Sequence, residues 1–445
     1  MSDTIFALAT APGRAAVAVL RLSGPETRLA VSAICGPLPR PRRASLRTYK
    51  DCEGAVIDRG LVLWFPGPSS YTGEDSAELH LHGGPAVVDS VTALLLNASL
   101  RLAGPGEFTR RAFENGKLDL DQAEAVADLI EAETAAQARQ AAQQLRGALG
   151  RRYRSWRRAL TRILADLEAA VDFPDEEVPA ETEARAHAPI VDLLHELDLA
   201  LADEGRGRRI RDGYRIAVIG APNAGKSTLF NSLLGRDAAI VAPAPGSTRD
   251  IIEAPLTLGG YRVLIADMAG IRLAAEPVEI EGVRRARAWA EQADLRLWVV
   301  DGSSARGEWR LAADLVGPGD LLVLNKSDLP PGGDGSEAEE AARAMSLPVR
   351  RLCLLDQDCG LSSELTARVT ADLAGSDFPA ATRARHTALL TAARADLARA
   401  LAALATPELA AEDVRRAARA LSRITGHIGS EDVLDQVFSS FCIGK

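Results

Sequence analysis

At 445 residues the chain exceeds what one hydrophobic core usually organises, so roughly two to four domains are expected. Its 47% hydrophobic, 25% charged and 4% aromatic content is that of a globular protein, and no apolar run reaches the length of a membrane span. The formal net charge of −9 excludes a protein that coats nucleic acid by bulk charge, which leaves only local RNA contacts.

Residues 1–117 mix short strands with one clear helix and read as a small α+β domain. Strands are expected over 15–22, 60–65 and 77–82, a turn over 67–73, and a helix over 85–102. The first residues lack the basic start and long apolar block of a secretory signal, so the expected compartment is the cytoplasm, without a membrane partner. From residue 118 the chain turns rich in Ala and Gln, with apolar positions at helical spacing through 171. Gly147 and Gly150 are expected to bend or divide that helix, and Pro174 to stop it. Another helix is expected over 181–202, and EGRGRRIRDG (204–213) reads as a hinge. Helical sequence returns over 380–421 and again beyond 429, while 330–340 reads as a loop. The preferred organisation is one helical domain (118–212 and 376–445) interrupted by an α/β domain (213–375), because a bundle needs partners for its apolar faces. Two unrelated helical domains are the alternative. Cys35, Cys52, Cys353, Cys359 and Cys442 are scattered, with no pair at zinc-ligand spacing, and reduced thiols are expected.

The most informative stretch is 214–231, YRIAVIGAPNAGKSTLFN. A β-branched apolar strand leads into Gly-x4-Gly-Lys-Ser, and a helix follows. In that context glycines turn backbone N–H groups inward on phosphates, and the helix N-terminus adds partial positive charge. Asn223, Ala224, Gly225, Lys226, Ser227 and Thr228 are candidate nucleotide contacts; Lys226 would reach the β- and γ-phosphates and the Ser227 hydroxyl would bind Mg2+. Asp267-Met268-Ala269-Gly270 follows an apolar run, where Asp267 can hold Mg2+ through water and the Gly270 N–H can sense the γ-phosphate. Asn325-Lys326-Ser327-Asp328 ends another expected strand, and a carboxylate there accepts the paired N–H donors of guanine. Adenine lacks that pair, so the expected substrate is GTP and the expected reaction its hydrolysis.

Between the first two motifs lies PAPGSTRD (243–250), where Thr248 is the candidate threonine that closes on Mg2+, with an ordinary Ser/Thr loop as the alternative. Ile271 stands where Ras-type enzymes carry the glutamine that orients water, and an aliphatic chain cannot do that. Two residues offer substitutes. Glu279 can orient water, although a solvated surface acid is the commoner fate of such a residue. The Asn223 side-chain oxygen can bind a monovalent cation that neutralises developing charge in place of an arginine finger.

With both flanks, these residues resemble the MnmE (TrmE) family of tRNA modification GTPases over essentially the whole chain. The N-terminal likeness is carried by DTIFALATAPGRAAVAVLRLSG, YTGEDSAELHLHGGP and PGEFTRRAFENGKLDLDQAEAV, the C-terminal one by ITGHIGSEDVLDQVFSSFCIGK. The resemblance implies a domain binding a formyl-tetrahydrofolate (5-formyltetrahydrofolate or another one-carbon form), a helical domain, and a Ras-like GTPase domain inserted in it. It also implies a homodimer through the N-terminal domains, and modification at C5 of the wobble uridine of certain tRNAs with the flavoprotein MnmG. Potassium-stimulated hydrolysis coupled to contact between two GTPase domains is implied as well. On matching positions, Asn223 resembles the potassium ligand, with loop residues Ala242, Pro243, Ala244, Pro245, Gly246 and Ser247 around the cation, Ala242, Ala244 and Ser247 as its further candidate ligands. Glu279 resembles the catalytic glutamate, which reverses its bland reading; Arg21, Glu78, Lys117 and Lys445 resemble folate contacts. Departures from the family are Met268 for threonine, Ser247-Thr248 for a threonine pair, two prolines in the 242–245 loop, and Cys353-Leu354 for the guanine-side Ser-Ala. Cys442 matches the family's C-terminal cysteine, with nucleophile and buried thiol both open.

Two other readings compete: a GTP-switched RNA or ribosome assembly factor, and a folate-dependent one-carbon transferase timed by GTP hydrolysis. Formylfolate binding separates the enzyme from the assembly factor. Basic clusters at 40–47, 151–158 and 206–211 are candidate tRNA or partner surfaces, or solvated faces.

Overall fold

The computed structural model describes residues 3–172, 178–237, 252–268, 277–354, 360–375, 381–426, 431–439, 441 and 444, with backbone alone for 178–184, 204, 236–237, 252, 277–281, 431–433 and 436. Contacts divide the chain into two units: Met1–Ala127, Gln144–Leu194 and Leu389–Lys445, and Asp128–Gln143 with His195–Ala388.

The first unit holds strands β1 (Ile5–Leu8), β2 (Ala15–Ser23), β3 (Ser45–Lys50), β4 (Val56–Phe65), β5 (Ser76–Gly83) and β6 (Arg101–Leu102). They pair in the order β3-β4-β5-β2-β1-β6, antiparallel except for β1 with β6. Alternation along β5 explains its place: Ala77, Leu79 and Leu81 enter the core while Glu78 and His80 face the other way, half-buried. Helices Thr27–Cys35 and Pro85–Asn97 cover the apolar face through Val31, Ile34, Val91 and Leu95. The helix expected to reach 102 stops at Asn97; Ser99 turns the chain at φ 64, and Arg101–Leu102 joins the sheet instead.

Helix Ala148–Asp172 buries Leu149, Tyr153, Trp156, Leu160, Ile163, Leu167 and Ala170, an alternating four- and three-residue spacing that makes one apolar stripe. It packs on helix Pro407–Ile424. Gly147, at φ 77, divides it from helix Ala135–Leu145, whereas Gly150 lies inside it. The expected 380–421 helix is two, Ala384–Ala402 and Pro407–Ile424, the second opened by its proline. Near the C-terminus Phe438 and Phe441 pack with Phe113, Leu120 and Ala123, and a side chain at Gly106 would overlap Phe441. Asp121 is fully buried with no hydrogen-bond partner for either carboxylate oxygen among the described residues. Burial first, then Asp119 and Glu124, push its pKa up to about 7.

The second unit holds β7 (Tyr214–Gly220), β8 (Ile252–Leu258), β9 (Tyr261–Asp267), β10 (Leu295–Asp301), β11 (Leu321–Asn325) and β12 (Val349–Arg351). Their order is β12-β11-β10-β7-β9-β8, parallel throughout except for β8 against β9. That is the strand order of a Ras-like nucleotide-binding domain. The sheet is buried on both faces, so β7 is apolar without a break from Ile216 to Ile219: Ile216 and Val218 enter one core, Ala217 and Ile219 the other. The stretch read as a hinge is helix Glu204–Asp212, ended by Gly213 at φ 111. Ile210 anchors it in the core, and the Gln137 and Gln140 amides donate to the Arg211 and Gly207 carbonyls at 2.8 and 3.0 Å. Likewise, the stretch read as a loop at 330–340 enters helix Gly333–Ala344. Among the described residues no helix is long and apolar enough to cross a membrane.

Candidate nucleotide-binding site

Because β7, β9, β10 and β11 run parallel, their C-terminal ends deliver Gly220, Asp267, Asp301 and Asn325 to one edge of the sheet. The loop after β7 depends on its glycines. Gly220 (φ 146) and Gly225 (φ 105) occupy conformations L side chains rarely adopt, and a Cβ would overlap the Val299 carbonyl at the first and the Asn325 amide at the second. Asn223 shares the left-handed region at φ 62 with its side chain exposed, and Thr228 is exposed on the first turn of helix Lys226–Asp237.

Lys226 is buried and its Nζ donates to the Ala221 carbonyl at 2.8 Å, across the loop. Burial pulls its pKa below the usual lysine value, with Asp267 countering. The Ser227 hydroxyl donates to Asp267 Oδ2 at 2.6 Å. Asp267 is 2% exposed, and its Oδ1 has no hydrogen-bond partner among the described residues. A hydroxyl and a carboxylate with an unsatisfied oxygen form a hard-oxygen donor pair that fits Mg2+, which takes few protein ligands and completes its shell with water and phosphate. No group of three or more His, Cys, Asp or Glu suited to a metal occurs among the described residues.

On the base side, Asn325 is buried and ties three segments together. Its Nδ2 donates to the Ala224 carbonyl at 2.8 Å and its Oδ1 accepts the Leu354 N–H at 3.2 Å. The Cys353-Leu354 substitution therefore keeps a backbone link to the phosphate loop. Lys326, at φ 59, places Nζ 2.6 Å from Asp301 Oδ2. Burial raises the Asp301 pKa, but hydrogen bonds from Lys326 and Ser303 outweigh it and hold the carboxyl below the usual range. Asp328 is exposed beside them. A cavity of about 560 Å3 is lined by 221–224, Asp301, Ser303, Lys326 and Trp309. Asp301 and Ser303 escaped the sequence reading, although WVVD ending an apolar run was a usable signal. Met268 is a core residue whose N–H donates to the Val218 carbonyl at 3.2 Å. Ala242, Pro243, Ala244, Pro245, Gly246, Ser247, Thr248, Ala269, Gly270 and Cys442 lie outside the described residues; Glu279 has its backbone in helix Pro277–Glu291 and its side chain outside them.

In the first unit Arg21 and Glu78 are register partners across β2 and β5, with Arg21 Nη2 and Nε 2.9 and 3.2 Å from Glu78 Oε1. The guanidinium lies 5.9 Å from the ring centres of both Tyr71 and Phe108. Tyr71, 39% exposed, shares a hydroxyl hydrogen bond of 2.9 Å with Thr109; the sequence reading missed it, though YTGED carries it. Lys117 Nζ donates to the Pro68 carbonyl at 2.9 Å. Lys445 lies outside the described residues, but its neighbour Gly444 sits where a side chain would overlap the Leu8 carbonyl at β1.

Comparison with known proteins covers both units. A family described as MnmE helical domain matches residues 120–442, and one described as GTP-binding protein TrmE N-terminus matches residues 4–117. A tRNA modification GTPase MnmE of Phenylobacterium zucineum is 58% identical over 447 residues, covering 100% of both chains. The protein of the same name in Caulobacter vibrioides is 56% identical over 448 residues, again covering 100% of both. Among solved structures, Era of Aquifex aeolicus is 23% identical over 37% of this chain and 57% of its own, with a TM-score of 0.29.

Proposed function

Because the chain belongs to the MnmE family, we propose that it is a GTP hydrolase acting in tRNA modification. The observation that carries this is the Ser227–Asp267 pair beside buried Lys226, at the edge where Asn325 pins the phosphate loop. Lys226 supplies a partly desolvated ammonium to the β- and γ-phosphates, and the glycine loop supplies backbone N–H donors. Ser227 and Asp267 would hold Mg2+, which neutralises phosphate charge when bound. Asp328, on the loop after Asn325, accepts the guanine N–H pair. Thr248 would be a further ligand of the metal, Glu279 would orient the attacking water, and Asn223 with the 242–247 loop would hold a potassium ion, which would neutralise charge developing on the phosphates.

The same reading assigns residues 1–117 to folate binding and dimerisation, 118–212 and 376–445 to the helical domain, and 213–375 to the GTPase domain. Arg21, Glu78, Lys117 and Lys445 would hold the one-carbon tetrahydrofolate. Support for this comes from the carboxylate of Glu78, which can accept ring N–H donors, and from the exposed Tyr71 ring beside Arg21. Working in the cytoplasm as a homodimer with MnmG, the protein takes part in modification at C5 of the wobble uridine.

Steady-state GTP hydrolysis in potassium against sodium, at matched ionic strength, tests the cation part. Activation by potassium, abolished in Asn223→Ala, is the expected result. Equal rates in both salts would remove the cation from the account.

A further inference from the structure

We propose that the N-terminal half of helix Ala148–Asp172 is a docking face for the phosphates of RNA, an inference that rests on the tRNA reading above. In a chain of net charge −9, residues 148–165 carry Arg151, Arg152, Arg154, Arg157, Arg158 and Arg162 and no Asp or Glu. Opposite the buried stripe, Arg151, Arg154, Arg158 and Arg162 recur every three or four residues and are exposed. They form a row roughly 16 Å long at 1.5 Å per residue.

This row has few counter-charges and, unlike the 40–47 loop cluster, sits at regular helical spacing. In the 206–211 cluster, Arg206 pairs with Asp203 at 2.6 Å, Arg209 with Asp294 at 2.6 Å and Arg211 with Asp128 at 2.9 Å. On helix Pro407–Ile424, Arg415 pairs with Glu168 and Arg419 with Glu412, at 2.9 and 2.7 Å, and Arg416 with Asp413. In the 40–47 cluster, Arg42 donates to the Ser69 carbonyl and Arg47 to the Pro37 carbonyl, which ties down loops. On the row itself only Arg154 meets a carboxylate, Asp119 at 2.9 Å; Arg151 donates to the Arg146 carbonyl at 2.7 Å, and no carboxylate among the described residues pairs with Arg151, Arg157, Arg158 or Arg162. Like charges at this spacing repel, so local helix stability does not account for them. A polyanion does, because guanidinium forks match phosphate oxygens two at a time. A protein partner fits less well. Such interfaces are anchored by buried apolar or aromatic groups, and no large hydrophobic residue of 148–165 is exposed.

The test is fluorescence anisotropy of labelled bulk tRNA with the full chain across a salt series. The triple variant Arg151→Gln, Arg158→Gln, Arg162→Gln should bind at least about 10-fold more weakly. Its slope of log affinity against log salt should be shallower by about 2, since each phosphate contact contributes roughly 0.7–0.9. Arg415→Gln with Arg419→Gln should match the wild type, and basal GTP hydrolysis should be unchanged in both. If the triple variant loses hydrolysis and so its fold, the single Arg162→Gln must still lower the slope by about 0.7–0.9. Unchanged affinity and slope would overturn the proposal. So would intact tRNA binding with loss of a bound acidic protein, which would give the face to that protein instead. Wild-type protein that binds no tRNA at any salt would overturn the tRNA reading itself.

Discussion

In the second unit Gly220, Asp267 and Asn325 end parallel strands at one edge of the sheet, with Lys226 and Ser227 opening the helix after the glycine loop, whereas in the first unit Arg21 and Glu78 stand side by side on the face of antiparallel strands. A loop-edge site is made largely of backbone, so its demands fall on conformation: Gly220 and Gly225 cannot bear side chains, and Asn325 must be the amide that bridges Ala224 to Leu354. A sheet-face site is made of side chains alone. Register brings together residues 57 apart in sequence, and nothing local has to be glycine. The first kind tolerates almost no substitution; the second tolerates much at modest cost.

The largest expected effect comes from forcing a side chain on the loop. Gly225→Ala drives a Cβ into the Asn325 amide at a positive φ, and GTP affinity should fall by at least about 100-fold, roughly 2.7 kcal/mol, in calorimetry. Wild-type affinity there would dissolve the contrast between the two sites. Burial sharpens it from another side. In the second unit the buried Lys226 and Asp267 partner neighbours, whereas Asp121 of the first unit has none among the described residues. Its pKa, up at about 7 from an ordinary 3.8, means the folded state prefers the proton. The stability tied to Asp121 is therefore fullest below pH ~4, is lost as pH rises towards ~7, and changes little above. Asp121→Asn should raise Tm at pH 8, by a stability of about 1–3 kcal/mol, and raise it less at pH 5. A shift independent of pH would show that this carboxyl titrates normally. The smallest effect belongs to the sheet face. Arg21 and Glu78 are about a quarter exposed, at 24% and 23%, so Arg21→Ala should change stability by no more than about 1 kcal/mol. Binding of 5-formyltetrahydrofolate should nonetheless weaken; unchanged folate affinity with unchanged Tm would take Arg21 out of that site.

Legibility follows the same division. The strand–loop–helix around Lys226 was readable because backbone geometry dictates residue type at fixed spacing, and Asn325 was readable for the same reason. Asp301 and Tyr71 were not, since each acts through a partner distant in sequence, Lys326 or Arg21, and Ser303 acts only by bonding Asp301. Elements stabilised mainly by tertiary contacts also escaped. Strand β6 is two residues long and exists by pairing with β1, and the Arg/Gly-rich stretch 204–212 is helical where Ile210, Gln137 and Gln140 hold it. Propensity and periodicity carry no record of such partners.

The claim at the centre is that Ser227 and Asp267 form the metal side of a GTP-hydrolysing site, and hydrolysis by the full chain with Mg2+, beside Asp267→Asn, tests it most directly. The account predicts a rate lower by about 100-fold or more in the variant, with Tm at least as high as wild type. Equal rates in the two proteins would contradict it.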